Sequence, residues 1–174
     1  SFQYFQSSPV NTKDIIITEI FADPSPQVNL PDSEFIELFN RSTNPINLSG
    51  WKFSDGSSTS VLTTQILLPG QYLILTATSG MAAYAGSGNT LGASNFPTLN
   101  NSGEALTLKN SAGLLIDSVN YALSWYRDDD KKEGGWTLEL IDPNNPCGEE
   151  DNWEASENPM GGTPGKINSV STNK

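Results

Sequence analysis

Residues 34–40 read EFIELFN. Side chains along a strand alternate between two faces, so Glu34, Ile36, Leu38 and Asn40 share one side while Phe35, Glu37 and Phe39 share the other. The second face looks half buried, yet it sets a carboxylate between two phenylalanines. The stretch is a strand by composition and period, and its neighbours along the chain follow the same pattern. Short runs rich in Ile, Thr, Phe, Tyr and Leu are broken by Gly, Pro, Asn, Asp and Ser, which is strand punctuation. Strands are predicted over 14–21 (DIIITEIF), 34–40, 51–55 (WKFSD), 71–76 (QYLILT), 105–109 (ALTLK), 114–121 (LLIDSVNY) and 136–141 (WTLELI), with short pairing segments near 46–48 and 65–68. Turn chemistry separates them: Asp55-Gly56, Pro69-Gly70, Asn101-Ser102-Gly103 and Ser111-Ala112-Gly113 each tolerate tight or positive-φ geometry.

Helical signal is confined to 79–85 (SGMAAYA), one or two turns at most. Seven or more strands without crossover helices predict an all-β fold, an antiparallel β-sandwich rather than a parallel sheet. Ile36, Leu38, Trp51, Phe53, Tyr72, Ile74, Leu106, Leu108 and Ile116 are the expected core. Residues 1–13 read as a linker or loosely attached segment and 14–169 as one domain. From about Asp142 a Pro-, Gly- and Asn-rich extension is expected to wrap the sandwich irregularly, with 170–174 as a tail.

Composition narrows the function. Twenty acidic against nine basic residues give a net charge of −11, which opposes a phosphate backbone and argues against nucleic acid as a partner. No apolar run approaches the roughly 18–20 residues that span a bilayer, so no membrane insertion is expected. The start SFQYFQSSPV has neither the basic nor the apolar region of a secretion signal, and reads as that of a processed piece. There is no histidine and one cysteine, Cys147. The usual general base, common triad chemistry and multi-thiolate metal sites are thereby removed. Any chemistry would rest on carboxylates, and a small sandwich seldom offers the deep cleft that a carboxylate-pair glycosidase needs.

The ordered stretches IIITEIFADP (15–24), EFIELFNRS (34–42), INLSGWKFSDG (46–56), LLPGQYLILT (67–76) and FPTLNNSGEALTLKNSAGLLIDSVNY (96–121) lead into WTLELIDPNNP (136–146), DNWEAS (151–156) and GGTPGKINS (161–169). Together they resemble bacterial-type lamin tail domains over about residues 14–169. That resemblance implies an immunoglobulin-like sandwich. It also implies a module of secreted or surface proteins, often found alongside enzymes and without an activity of its own. The animal relatives belong to nuclear filament proteins; this chain has no coiled-coil heptads and is far more acidic, so filament and chromatin partners do not carry over.

Two constellations qualify as candidate sites. Glu19 and Glu37, with Asp23 and Asp32 in the acidic loop between them, converge if the first two strands pair antiparallel. Like charges opposite one another destabilise a sheet, so these side chains splay into water, pair with Arg41 or Lys52, or share a cation. Calcium takes six to eight oxygens and suits such a loop; the plainer expectation is solvated or ion-paired glutamates on the outer face. Trp125, Tyr126 and Trp153 lie in polar loops, where they either stack on sugar rings or pin the extension to the sandwich. GSGNTLG (86–92) lacks the lysine and helix of a phosphate loop and is expected as a flexible loop. RDDDKKE (127–133) reads as a self-compensating solvated loop, and the Asn-X-Ser sequons at Asn40, Asn47 and Asn100 matter only on a eukaryotic secretory route.

The function expected from these readings is a non-catalytic, monomeric module of a larger secreted or cell-surface bacterial protein. Its partners would be other domains of its precursor, surface proteins or glycans. The alternatives are a calcium-stabilised carbohydrate-binding module and an accessory domain that presents substrate to a hydrolase.

Overall fold

The computed structural model describes residues 9–172. Its strands are β1 (Ile15–Phe21), β2 (Phe35–Asn40), β3 (Ile46–Asn47), β4 (Lys52–Ser54), β5 (Thr59–Val61), β6 (Ile66–Leu67), β7 (Tyr72–Ala77), β8 (Thr90–Ala93), β9 (Gly103–Lys109), β10 (Leu115–Ala122), β11 (Leu138–Leu140) and β12 (Trp153–Ala155). One sheet has the order β12-β11-β1-β2-β7-β8 and the other β10-β9-β4-β5, with a small β3-β6 ladder beside them. Helix is limited to short 3-10 turns, among them Met81–Tyr84 in the window expected for it. The architecture is the expected immunoglobulin-like β-sandwich.

The two sheets bury one continuous core. Ile15, Ile17, Ile20, Ile36, Leu38, Leu73 and Leu75 of the large sheet belong to the same cluster as Trp51, Phe53, Leu106, Leu108 and Ile116 of the small one. Of the nine residues expected inside, Tyr72 alone is half-exposed; Ile74 is buried, but in a second cluster with Phe21, Leu30, Phe35 and Tyr84. That second cluster explains the two apolar faces of EFIELFN. The large sheet is covered on both sides, by the small sheet on one and by loops on the other.

A bulge decides which residues of β1 meet which cover. Pairing with β2 runs Ile15↔Asn40 and Ile17↔Leu38, shifts at Thr18, and resumes Glu19↔Glu37, Ile20↔Ile36 and Phe21↔Phe35. Without the extra residue, Glu19 would share a face with Ile15 and Ile17 and enter the core. With it, Glu19 and Phe21 turn to the outer face alongside Glu37 and Phe35.

Three strands escaped sequence reading. Thr90–Ala93, expected within a flexible loop, forms β8 and pairs parallel to β7, the one departure from antiparallel order among the described pairs. The crossover from Thr78 to Asn89 holds the 3-10 turn, whose Tyr84 packs edge-on against Phe35, ring centroids 5.1 Å apart. β5 and β12 are three residues each and offer too short a period to detect. The ends are more firmly held than expected. Of the segment 1–13, residues 1–8 lie outside the described part, while Thr12 and Lys13 bond to the edge of β10 through the Leu115 and Ile116 carbonyls. Of the tail 170–174, residues 170–172 are described, and the Val170 and Thr172 amides both donate to the fold.

Candidate functional site

On the outer face of the large sheet, three glutamates form a lateral row. Glu139 of β11 stands opposite Glu19 of β1, and Glu19 opposite Glu37 of β2. All three are completely buried. Glu154 on β12 continues the row beside Glu139 and is half-buried. Carboxylates directly across from one another repel, and removing each from water costs several kcal/mol more.

The cover over the row is the C-terminal segment 161–172, here called the strap. The Thr163 amide donates to Glu19 Oε1 at 2.8 Å and the Thr163 hydroxyl to Glu139 Oε1 at 2.8 Å. The Gly165 amide donates to Glu37 Oε2 at 2.6 Å. Glu139 Oε2 accepts from the Ser169 hydroxyl at 2.7 Å and the Val170 amide at 3.2 Å. Two further donors come from the sheet itself: Thr137 Oγ1 to Glu19 Oε1 at 2.7 Å and Thr18 Oγ1 to Glu37 Oε1 at 2.9 Å. Asn168 fastens the strap from its own side, its Nδ2 donating to the Thr18 and Leu140 carbonyls at 2.7 and 2.9 Å.

The row is relieved by proton retention as well as by hydrogen bonds. Burial, reinforced by the charge of Glu139, pushes the Glu19 carboxyl up to about 8. Burial and the neighbouring Glu19 hold Glu37 well above the carboxylate range. Glu19 Oε1 carries two donated bonds, while the buried Oε2 has no hydrogen-bond partner among the described residues. A neutral acid in the middle of the row separates its neighbours from like-charge contact.

Glycine makes the close cover feasible. Gly165 sits at φ +80°, and a Cβ there would overlap the Ser87 carbonyl oxygen. At Gly162 a Cβ would stand 2.6 Å from Glu19 Oε1 and 2.7 Å from Thr137 Cγ2. The motif GGTPG (161–165) therefore reads as the part of the strap that must lie flat on the acids.

The expected acidic group divides. Glu19 and Glu37 come together on the sheet, but their third partner is Glu139, and Asp23 and Asp32 are not drawn in. Asp23 accepts from the Ser25 amide in its own loop, and Asp32 is exposed. Among the described residues no three acidic or cysteine side chains are gathered closely enough to hold a metal ion. The solvated or ion-paired alternative is corrected too: Glu37 faces neither water nor Arg41 or Lys52, because the strap lies over it. Glu34, the other glutamate of the opening stretch, is half-buried and accepts from the Leu99 amide at 3.0 Å.

The expected aromatic platform is buried as well. Trp125, Tyr126 and Trp153 retain 7%, 5% and 3% exposure. Trp125 and Trp153 pack with ring centroids 6.2 Å apart, and the Tyr126 hydroxyl donates to the Trp136 carbonyl. These rings pin the segment after β10 to β12. The half-exposed aromatic pair is elsewhere, at Phe39 and Tyr72, which face each other across β2 and β7 with centroids 4.6 Å apart. Sequence reading missed it because strand alternation alone assigns Tyr72 to a covered face; the strap's coverage stops short of it.

Cys147 is exposed. The loop 127–133 behaves as its charges suggest, with Lys132 paired to Asp129 and Lys131 reaching back to the Ser156 carbonyl and the Trp136 ring. No helix among the described residues is long and apolar enough to cross a membrane.

Comparison with known families gives one match: the model of the Lamin Tail Domain fits residues 8–122. That span runs from before β1 to the end of β10, so Glu139 and the strap lie beyond it. Among curated proteins, none matches the chain.

Proposed function

The chain belongs to the lamin tail domain family, and from that premise we propose that it is a non-catalytic module that spaces, positions or binds within a larger secreted or cell-surface bacterial protein. A family of immunoglobulin-like sandwiches supports the module reading. The observation that carries its non-catalytic part is the state of the buried carboxylates. Chemistry without histidine would fall to paired acids, and the three that are paired most closely lie sealed under the strap, with seven hydrogen bonds donated to them. Groups held this way have no path to a substrate.

The same bonds suit a spacer. A segment fastened by buried carboxylates keeps the last part of the chain in one position relative to the sheets, so a neighbouring domain joined there would be held rather than tethered loosely. Amide relaxation measurements test this: residues 161–170 should be as ordered as β1 and β2. Disorder of the strap on the nanosecond scale, or turnover of any glycoside or ester by the purified chain, would overturn the reading. Detection of the native protein in the cytoplasm rather than at the cell surface or in the medium would overturn the proposed location.

A further inference from the structure

We propose that a groove beside the strap binds a neutral pyranose ring, stacked on Tyr72 and Phe39 and hydrogen-bonded by Arg41 and Asn144. The groove has a volume of about 330 Å³ and is lined by Phe39, Tyr72, Arg41, Pro143, Asn144 and Ile167, among others. This is the low end of the size range of small-ligand sites, roughly 300–1,000 Å³, and fits one sugar unit of a chain rather than an enclosed ligand.

The floor is the cross-strand pair of half-exposed rings, tilted by 30°. Aromatic faces carry negative quadrupole charge and attract the polarised C–H groups on the flat side of a sugar. Ile167, 54% exposed on the strap, forms the opposite wall. Its position is fixed from beneath by Asn168, bonded to Thr18 and Leu140, and by Gly165 on Glu37, so the groove is formed before any ligand arrives and little ordering is needed on binding.

Two polar side chains at the rim are uncommitted among the described residues. The Tyr72 hydroxyl and the Asn144 side-chain amide make no hydrogen bond among the described residues. Among the described residues the Arg41 guanidinium has no ion pair and a single long bond, 3.5 Å, to the Lys13 carbonyl. An apolar floor with a few convergent donors and acceptors is the usual form of a ligand site. Charge selects among sugars. One arginine invites an anion, but it stands on a chain of net charge −11. The surrounding field disfavours a polyanion, so the guanidinium acts as a hydroxyl donor to a neutral sugar.

The inference rests on the binding role in the proposed function and is tested on the whole chain by amide and side-chain NMR. Cellohexaose, mannohexaose and chitohexaose at millimolar concentration are the probes, with hexagalacturonate as the anionic control. Shifts at Phe39, Arg41, Tyr72, Asn144 and Ile167 are expected with at least one neutral probe, and about tenfold weaker affinity in Tyr72→Ala, as for loss of one stacking ring. Asn144→Ala, at an exposed loop position, should also weaken binding while leaving the melting temperature unchanged, which guards against a folding defect in the tyrosine variant. No shift with any neutral probe, shifts with hexagalacturonate alone, or shifts centred on Trp125 and Trp153 would overturn the proposal. Appearance of shorter sugars in the same samples would instead overturn the non-catalytic reading.

Discussion

The Glu37 side chain and the Gly165 amide meet at 2.6 Å across 128 residues of sequence. One bond thus joins the second strand of the sheet to the C-terminal strap, and its acceptor is a completely buried carboxylate. Glu37→Ala leaves the Gly165 amide and the Thr18 hydroxyl without their acceptor, and an unsatisfied buried donor costs about 1–3 kcal/mol. Glu37→Gln should behave differently. Its carbonyl can still accept from Gly165 while its amide donates to the Thr18 oxygen, and it is uncharged, the form towards which burial shifts the Glu37 carboxyl. Denaturant melts at neutral pH should place Gln within about 1 kcal/mol of wild type and Ala well below both. Equal losses in the two variants would mean that the ionised form holds the strap.

The row also sets a pH dependence whose sign follows from linkage. Glu19 and Glu37 bind protons more tightly in the folded state than in the unfolded chain. Their contribution is therefore fully present below about 4.5, the unfolded value, and declines as pH rises through the folded value of Glu19, about 8. Stability should fall across that window by several kcal/mol, against the rise expected of an ordinary carboxylate-paired protein. Asp117, raised by burial although Lys13 pairs with it, acts in the same direction. Melting temperatures measured from pH 4.5 to 9 check the slope. Glu19→Gln should flatten it, and an unchanged slope in that variant would place the proton elsewhere.

The positions of the longer strands along the chain and most of the core were legible in the sequence because they rest on local period and turn chemistry. EFIELFN, QYLILT and LLIDSVNY each present alternation long enough to read. The short strands β5, β8 and β12 were not, since three or four residues carry too little period and β8 gains its place by pairing with β7 rather than by composition. The glutamate row was half legible. Antiparallel pairing of β1 with β2 brings Glu19 to Glu37, but the bulge at Thr18 that aims both outward leaves no mark in composition. Glu139 reaches them only because β11 pairs with the side of β1 away from β2; Thr137, just before that strand, bonds Glu19 across 118 residues of sequence. The strap's donors are Gly, Thr, Ser and Val, ordinary loop residues until placed over buried acids. Trp125 and Trp153 read as exposed because their loops are polar, whereas strand alternation carries no mark that the cover ends short of Phe39 and Tyr72.

Burial of Trp153 against Trp125 makes a prediction about the extension. Trp153 is 3% exposed and its strand pairs with β11 at Leu140↔Trp153. Truncation to alanine should cost about 3–5 kcal/mol, the usual range for a packed tryptophan, and should speed amide exchange in β11 and β12 ahead of the β1–β2 pair. A loss below about 1 kcal/mol would show that the ring is not packed as described and would restore the exposed-platform reading of these aromatics.

Calcium provides the last test, because the acids of the row suggest it from sequence and their surroundings argue otherwise. A bound cation would need several oxygens free to coordinate. In the row, five of the six carboxylate oxygens already accept hydrogen bonds and Glu19 Oε2 alone is open. Asp23 and Asp32 stand apart from it in their loop. A ligand that binds the folded state stabilises it by about 2.7 kcal/mol at a hundredfold excess over its dissociation constant, whereas general screening depends on ionic strength alone. Melting curves in chelator, in millimolar calcium and in sodium chloride of matched ionic strength are therefore expected to agree in the last two. A calcium-specific rise that disappears in Glu19→Gln would mean that the strap opens to admit the ion, exchanging its amide and hydroxyl donors for metal–oxygen bonds.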